Sequence, residues 1–359
     1  MVLNKFKERA FIRKNVRVDL QVIKERFEKI RLKSTVLAIS PTPTKYFWLG
    51  VNQATHNLFP ENIFDIPQYY SRTVYNREEL NTIIKFIHDL QFETVVFSGF
   101  SGYFEPMINS LKLHAKGLFI ELIYHGSLSE LAGNQQMKND FSSILNLVKT
   151  GKIDRLGFVK KGLDQCINKL LQIESYPIIL PPPDTTSIIR EKVSIRNHTH
   201  IGVFANNQLR KNVHNQMAAA LMIDNAMVHT TDKSEYAYFN SDNRIIQHAS
   251  KLAWEEFMFL LSQMDINLYN TYTETWGQIV VESLAMGVPC LTNNSSGVLD
   301  TNKQLKNWLV VPEHDNPSAI AEAIKETLEN REEIVQLGYQ FIEDLKVVAQ
   351  NKLNEFLRF

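Results

Sequence analysis

The chain has 359 residues, 44% of them hydrophobic and 22% charged, with Lys plus Arg and Asp plus Glu balanced at 39 each. That composition belongs to a soluble globular protein of about two domains and excludes a disordered tail, a coiled coil or a fibre. The neutral balance argues against a dedicated nucleic-acid binder, whose affinity rests on neutralising phosphates.

Taken in order, residues 1–33 hold eleven Lys or Arg against four Asp or Glu. Val18, Leu20, Val22, Ile23, Phe27, Ile30 and Leu32 recur there at loose helical spacing, which predicts a basic amphipathic helical extension. Such a helix packs on its own domain or lies on an anionic membrane surface. No apolar core marks a signal peptide, and no run of about eighteen apolar residues exists to span a bilayer. Cys166 and Cys290 lie far apart, without metal-ligand spacing, and fit a reducing compartment. The expectation is a cytoplasmic protein, with peripheral contact at the inner membrane face through residues 1–33.

Residues 34–40 form a β-branched, apolar run closed by Pro41 and Pro43, a buried strand with a turn behind it. A helix is predicted over 78–90. Two further buried strands, 93–98 and 117–124, end in the loops Gly99 to Tyr103 and His125-Gly126. A segment at 153–159 and a helix at 163–173 follow. Strands alternating with helices predict a parallel sheet covered on both faces, over a domain spanning 34–180. The proline-rich run from Tyr176 to Pro183 cannot be helical and, with the polar stretch behind it, predicts a linker at 181–199.

A second alternating series then spans 200–340. Strands are predicted at 200–205, 226–229, 266–269, 289–292 and 309–311, with helices at 215–222, 254–264 and 317–329. Helix continues from 331, and 341–359 reads as a final helix. Within this series Glu274 and Glu282 stand eight positions apart. A helix of about ten residues is predicted from Gly277, stopped by Gly287 and followed by a strand from Pro289. An ionised Glu282 among Val280, Val281 and Leu284 is costly unless something hydrogen-bonds it. The helix points its N-terminal amides and dipole at whatever precedes it, which makes an anion site without a metal.

Both glutamates, Gly277, the small-residue helix and the Gly287-Val-Pro289 exit stand in one register. Together they resemble the E-x7-E signature of retaining, nucleotide-sugar-dependent glycosyltransferases of family 4. The resemblance implies the α/β GT-B fold: two Rossmann-like domains facing each other across a cleft, with 341–359 crossing back to the first. It implies a hexosyl transferase, of the polysaccharide-biosynthesis kind, that takes a UDP- or GDP-sugar to a glycan or lipid-linked acceptor. No cofactor and no metal are expected. The chain contains no Asp-x-Asp, the pair on which the metal-dependent glycosyltransferase fold holds its donor diphosphate.

By the same resemblance, Glu274, His125 and Lys211 are the catalytic candidates. Glu274 would contact donor-sugar hydroxyls, and His125 the sugar's 6-hydroxyl region. Lys211 falls on the lysine of the family's phosphate loop and would neutralise the leaving diphosphate. The loop's arginine position holds Asn206, and neighbouring Arg210 is the candidate to replace that charge. Glu282 would bind ribose hydroxyls, and the backbone of Thr275, Trp276, Gly277 and Gln278 the diphosphate end. Ser295, Ser296 and Gly297 match a small-residue loop near the donor; Thr230 and Thr231 would line the base pocket. The loops 41–46 and 99–103 are acceptor-side candidates. Retention in the family is attributed to a front-face route. Two alternatives stay open: a non-catalytic GT-B partner subunit, favoured by Asn206, and an epimerase or phosphorylase on the same fold.

Overall fold

The computed structural model describes residues 19–42, 48–66, 68–69, 72–73, 75–101, 103–188, 197–231, 243–250 and 252–358. The chain divides into two compact units, Met1–Leu180 with Lys352–Phe359, and Pro181–Asn351.

In the first unit, helix α1 (Leu20–Arg31) precedes β1 (Val36–Pro41), α2 (Leu49–Leu58) and β2 (Ile63–Ile66). A short antiparallel pair, β3 (Gln68–Tyr69) and β4 (Arg72–Thr73), leads to α3 (Arg77–Asp89), β5 (Thr94–Ser98), α4 (Phe104–His114) and β6 (Phe119–Tyr124). Then come α5 (Gln135–Lys149), β7 (Arg155–Phe158), α6 (Leu163–Leu171) and β8 (Ser175–Pro177). The main sheet is parallel, in the order β2-β1-β5-β6-β7-β8. Strand order reverses between β1 and β5, where the loops leaving the two strands diverge and open a crevice.

Two expectations change here. Helix α1 is part of the first unit's core, not an extension from it. Asp19 caps it by accepting from the backbone of Gln21 and Val22, and Ile23, Phe27 and Ile30 are buried against the sheet and α3. The Phe27 ring stands edge-on to Phe64 at 4.8 Å. Its apolar stripe is narrower than predicted, since Val22 and Leu32 are exposed; Val18 and everything before it lie outside the described residues. The proline-rich run also contributes structure before it becomes a connection. Ser175–Pro177 is the edge strand β8, where a missing proline N–H costs little.

In the second unit, β9 (Thr199–Val203) leads through a 3₁₀ turn (Leu209–Lys211) to α7 (Val213–Leu221), β10 (Ala226–Thr230) and β11 (Ile245–Gln247). Next are α8 (Trp254–Ser262), β12 (Ile266–Tyr269), α9 (Gln278–Ala285) and β13 (Cys290–Thr292). Helices α10 (Lys303–Leu309), α11 (Pro317–Glu329) and α12 (Arg331–Leu357) finish the chain. This sheet is also parallel, in the order β11-β10-β9-β12-β13, and reverses between β9 and β12.

The strand expected at 309–311 is instead the end of α10 and a single bridge from Val310 to Thr292. Nor is 341–359 a separate helix. It is the end of the 27-residue α12, which belongs to the second unit through Asn351 and to the first from Lys352. In the first unit, Arg155 Nη1 donates to the carbonyls of Glu355 (2.8 Å) and Phe356 (2.5 Å) and so satisfies the helix's orphan acceptors.

Candidate functional site

At the reversal of the second sheet, two loops leave the carboxyl ends of β9 and β12. The β9 loop passes the exposed Asn206, whose carbonyl accepts from the Gln208 amide at 2.8 Å, and reaches Arg210 and Lys211 in the 3₁₀ turn. The β12 loop begins at Tyr269 and carries Glu274. Lys211 Nζ donates to Glu274 Oε2 and, at 2.5 Å, to the Tyr269 hydroxyl. The same carboxylate oxygen accepts from Tyr269 at 2.7 Å and from Arg210 Nη1 at 3.3 Å. Its partner Oε1 accepts the Thr275 amide at 3.2 Å.

Burial by itself pushes the Glu274 carboxyl up, but Lys211, Arg210 and the Tyr269 hydroxyl outweigh it and hold the group below the ordinary carboxylate range. Tyr269 is driven the opposite way, first by burial and then by the charge of Glu274, so its hydroxyl keeps its proton. The result is an anionic Glu274 and a phenol donor fixed in one place, a charged cluster with only Arg210 substantially open to solvent.

Side chains that sequence reasoning passed over hold the two loops together. Asn212, in the left-handed region at φ 53°, donates to the carbonyls of Asn270 (2.9 Å) and His314 (2.6 Å). Gln216 donates to the Lys211 carbonyl at 2.8 Å and accepts the Asn270 amide at 2.9 Å. By sequence Tyr269 is only the end of the strand at 266–269. Its signal was a polar aromatic at the rim of a buried strand, five residues before the glutamate.

Three residues beyond Glu274, Gly277 caps α9 with φ 82° and ψ 55°, a conformation that strains any L side chain. Ser296 lies against it: a Cβ at position 277 would stand 3.6 Å from Ser296 Oγ. Trp276 is buried, Thr275 and Gln278 are half-buried, and Gly297 turns with φ 71°. Glu282 sits on the buried side of α9, and burial raises its carboxyl to about 7, with the Trp254 indole opposing. Thr230 is buried at the end of β10 and Thr231 follows half-buried. Thus Arg210, Lys211 and Thr275 all meet Glu274, Gly277 and Ser296 adjoin, and Asn206 stays outside the charged cluster.

His125 belongs to the first unit, just beyond β6. Its Nε2 is 2.9 Å from Ser98 Oγ, which is 2.6 Å from Thr55 Oγ1, which donates to the Val51 carbonyl at 2.7 Å. Thr55 has one proton and the carbonyl can only accept, so Ser98 donates to Thr55 and His125 Nε2–H donates to Ser98. Burial lowers His125 to about 3, so the ring is neutral and Nδ1 carries a lone pair. His125 lines a cavity of about 540 Å³ at the ends of β5 and β6 and the start of α2, walled also by Trp48, Val51, Phe100, Tyr124 and Met137. Of the loops expected on the acceptor side, residues 43–47 and Gly102 lie outside the described residues. Among the described residues no group of three or more His, Cys, Asp or Glu could hold a metal ion, and no helix is long and apolar enough to cross a membrane.

Residues 203–343 match the model of the family described as glycosyl transferases group 1. No curated protein matches the chain by sequence. Sucrose-phosphate synthase from Thermosynechococcus elongatus is 13% identical with a TM-score of 0.63, over 90% of this chain and 98% of that one. The UDP-forming α,α-trehalose-phosphate synthase of Burkholderia xenovorans, solved with glucose-6-phosphate, is 8% identical with a TM-score of 0.63, over 90% and 99%. An E. coli structure bound with UDP-2-fluoro glucose is 7% identical with a TM-score of 0.60, over 90% and 99%. At such identities the likeness is one of fold, and that fold is GT-B.

Proposed function

We propose that the chain, whose residues 203–343 match the model of glycosyl transferases group 1, transfers a sugar from a nucleotide-diphosphate donor, with retention and without a metal. The observation that carries this reading is the Lys211, Arg210, Tyr269 and Glu274 cluster at the strand reversal, three residues before α9. The anionic Glu274 accepts hydrogen bonds from hydroxyls of the donor sugar. Lys211, Arg210 and the amides at the start of α9 stabilise the charge that grows on the leaving diphosphate. Glu282 accepts from the ribose. The donor's anomeric C–O bond breaks with its electron pair passing to the phosphate oxygen. The acceptor oxygen bonds to the anomeric carbon on the same face and loses its proton to that phosphate oxygen.

UDP-sugars are the first donors to test, because solved proteins of this fold bind them, with GDP-sugars next. His125 Nδ1 serves as an acceptor for a sugar hydroxyl. The acceptor is a glycan or lipid-linked sugar met in the cytoplasm. Residues 1–18, with six Lys or Arg against one Glu, add a peripheral contact with an anionic membrane, carried by charge because the apolar side of α1 is buried.

Turnover measured over a panel of UDP- and GDP-sugars tests the reading. One donor is expected to react, and Lys211→Ala and Glu282→Ala are each expected to slow it by about 10²–10³-fold. No donor binding, or turnover indifferent to both substitutions, would sink it. Donor binding that depends on both residues but never leads to transfer would instead mark a non-catalytic partner.

A further inference from the structure

We infer that the seat that receives the end of α12 in the first unit is a proton-gated clasp, in which Glu121 must carry a proton for Arg155 to hold the helix. None of these residues takes part in the proposed transfer. The seat is built on one face of the sheet. Glu121 on β6 and Arg155 on β7 are register partners, so both side chains leave that face, and Gly157, two residues on, shares it. Phe356 is fully buried against Gly157. A Cβ at that glycine would stand 2.6 Å from Ile178 Cγ1 and 3.2 Å from Phe356 Cε2, so its absence makes the room. The Phe356 ring stands edge-on to Tyr176 at 5.9 Å, and the Arg155 guanidinium lies over the Tyr176 ring at 4.5 Å. From there Arg155 Nη1 holds the Glu355 and Phe356 carbonyls.

The acid and the base at the centre of this seat do not bond. Glu121 is only 2% exposed, yet its Oε2 and Arg155 Nε both lack a hydrogen-bond partner among the described residues. A carboxylate beside a guanidinium pairs readily, so the gap fits a neutral carboxyl. Burial raises Glu121 to about 8, with Arg155 and Arg358 opposing and Asp154 adding to the rise. The other charges at the seat have contacts of their own. Asp154 accepts from Lys112 of α4 at 2.5 Å and from the Ile120 amide at 2.7 Å. Arg358 lies over the Phe119 ring at 5.2 Å, Lys352 pairs with Glu355 at 2.7 Å, and Tyr176 donates to Glu174. On β5 the register neighbour of Glu121 is the uncharged Val96. Once ionised, Glu121 needs water or a cation. Water arrives when the end of α12 lifts, and Arg155 arrives by turning from the two carbonyls, which leaves the helix end unsatisfied. Either way the clasp opens. With α12 lifted, Glu121 is hydrated and titrates near its ordinary 4.5, so seating takes up one proton. Seating is therefore strongest below about pH 4.5 and weakens as pH rises through about 8.

Amide hydrogen exchange over residues 353–357 of the full chain, corrected for the intrinsic rate and followed from about pH 6 to 8, reads the clasp. Protection is expected to fall about tenfold per pH unit, the slope of one linked proton, and Glu121→Gln is expected to hold it level. The amides of β5, in the same sheet, should keep their protection in both chains. Protection over 353–357 that does not change with pH in the parent chain overturns the inference, as does an equal fall in Glu121→Gln. A fall shared by β5 overturns it too, because the whole unit is then loosening. Melting temperatures show whether Glu121→Gln has kept its fold; if it has not, the parent chain's profiles over 353–357 and β5 decide by themselves.

Discussion

Glu274 and Glu282 share a motif but not an environment. Glu274 is held anionic by Lys211, Arg210 and Tyr269 despite its burial. Among the described residues no cation offsets the burial of Glu282, and its carboxyl rises to about 7. Because the folded value lies above the unfolded one, the stability linked to Glu282 is complete below about pH 4.5 and is lost as pH rises through about 7. Donor affinity should run the other way, since the ionised carboxylate is the better acceptor for ribose hydroxyls. UDP affinity measured by calorimetry is expected to strengthen as pH rises from about 6 to about 8, and Glu282→Gln to flatten that dependence. A profile unchanged by the substitution would remove Glu282 from the ribose site. The spacing of the two glutamates was legible in the sequence; their different charge states were not. Lys211 and Tyr269 reach Glu274 across 63 and 5 positions respectively, and only the fold brings all three together.

Elements were legible where their signal was local. Pro317–Glu329 has a capping Asn316, a proline at its start and a clean apolar period, and it was predicted to the residue. Helix α5 was missed: its buried Phe141, Ile144 and Leu147 sit within a run of Gln, Asn, Ser and Lys that reads as a loop. Helix α1 was seen, but its apolar stripe could not say whether a sheet or a membrane would cover it. A second feature of the elements appears only in the sheet. His200 on β9, His229 on β10 and His248 just beyond β11 form a row, with ring nitrogens 2.8 Å apart at each step. Burial first, then the two neighbouring rings, pull His229 down to about 3. A folded value below the ordinary 6.5 means that the stability linked to His229 is complete above about pH 6.5 and is lost as pH falls from there toward 3. Thermal melting between about pH 7 and 4 should fall more steeply for the parent chain than for His229→Gln. Parallel curves would show that the row carries no pH-linked stability.

At the scale of the whole molecule, the chain is two parallel α/β units whose strand reversals each gather candidate site residues of that unit. With Ile23, Phe27 and Ile30 inside the first unit, the proposed membrane contact rests on the charges of residues 1–18. Flotation with anionic liposomes is expected for the full chain at low salt, to fade as salt rises, and to disappear in a chain begun at Asp19. Equal flotation of the two chains would end the membrane reading. The sequence by itself determined the α/β class, the paired-glutamate motif and its helix, because hydrophobic period, glycine stops and motif spacing are written along the chain. The tertiary structure alone decided which groups share a charge, which polar groups are left unpaired and which apolar stripe is covered. Those are matters of neighbours brought together from distant positions, and burial, which sets both the cost of a charge and the value of a hydrogen bond, exists only once the chain has folded.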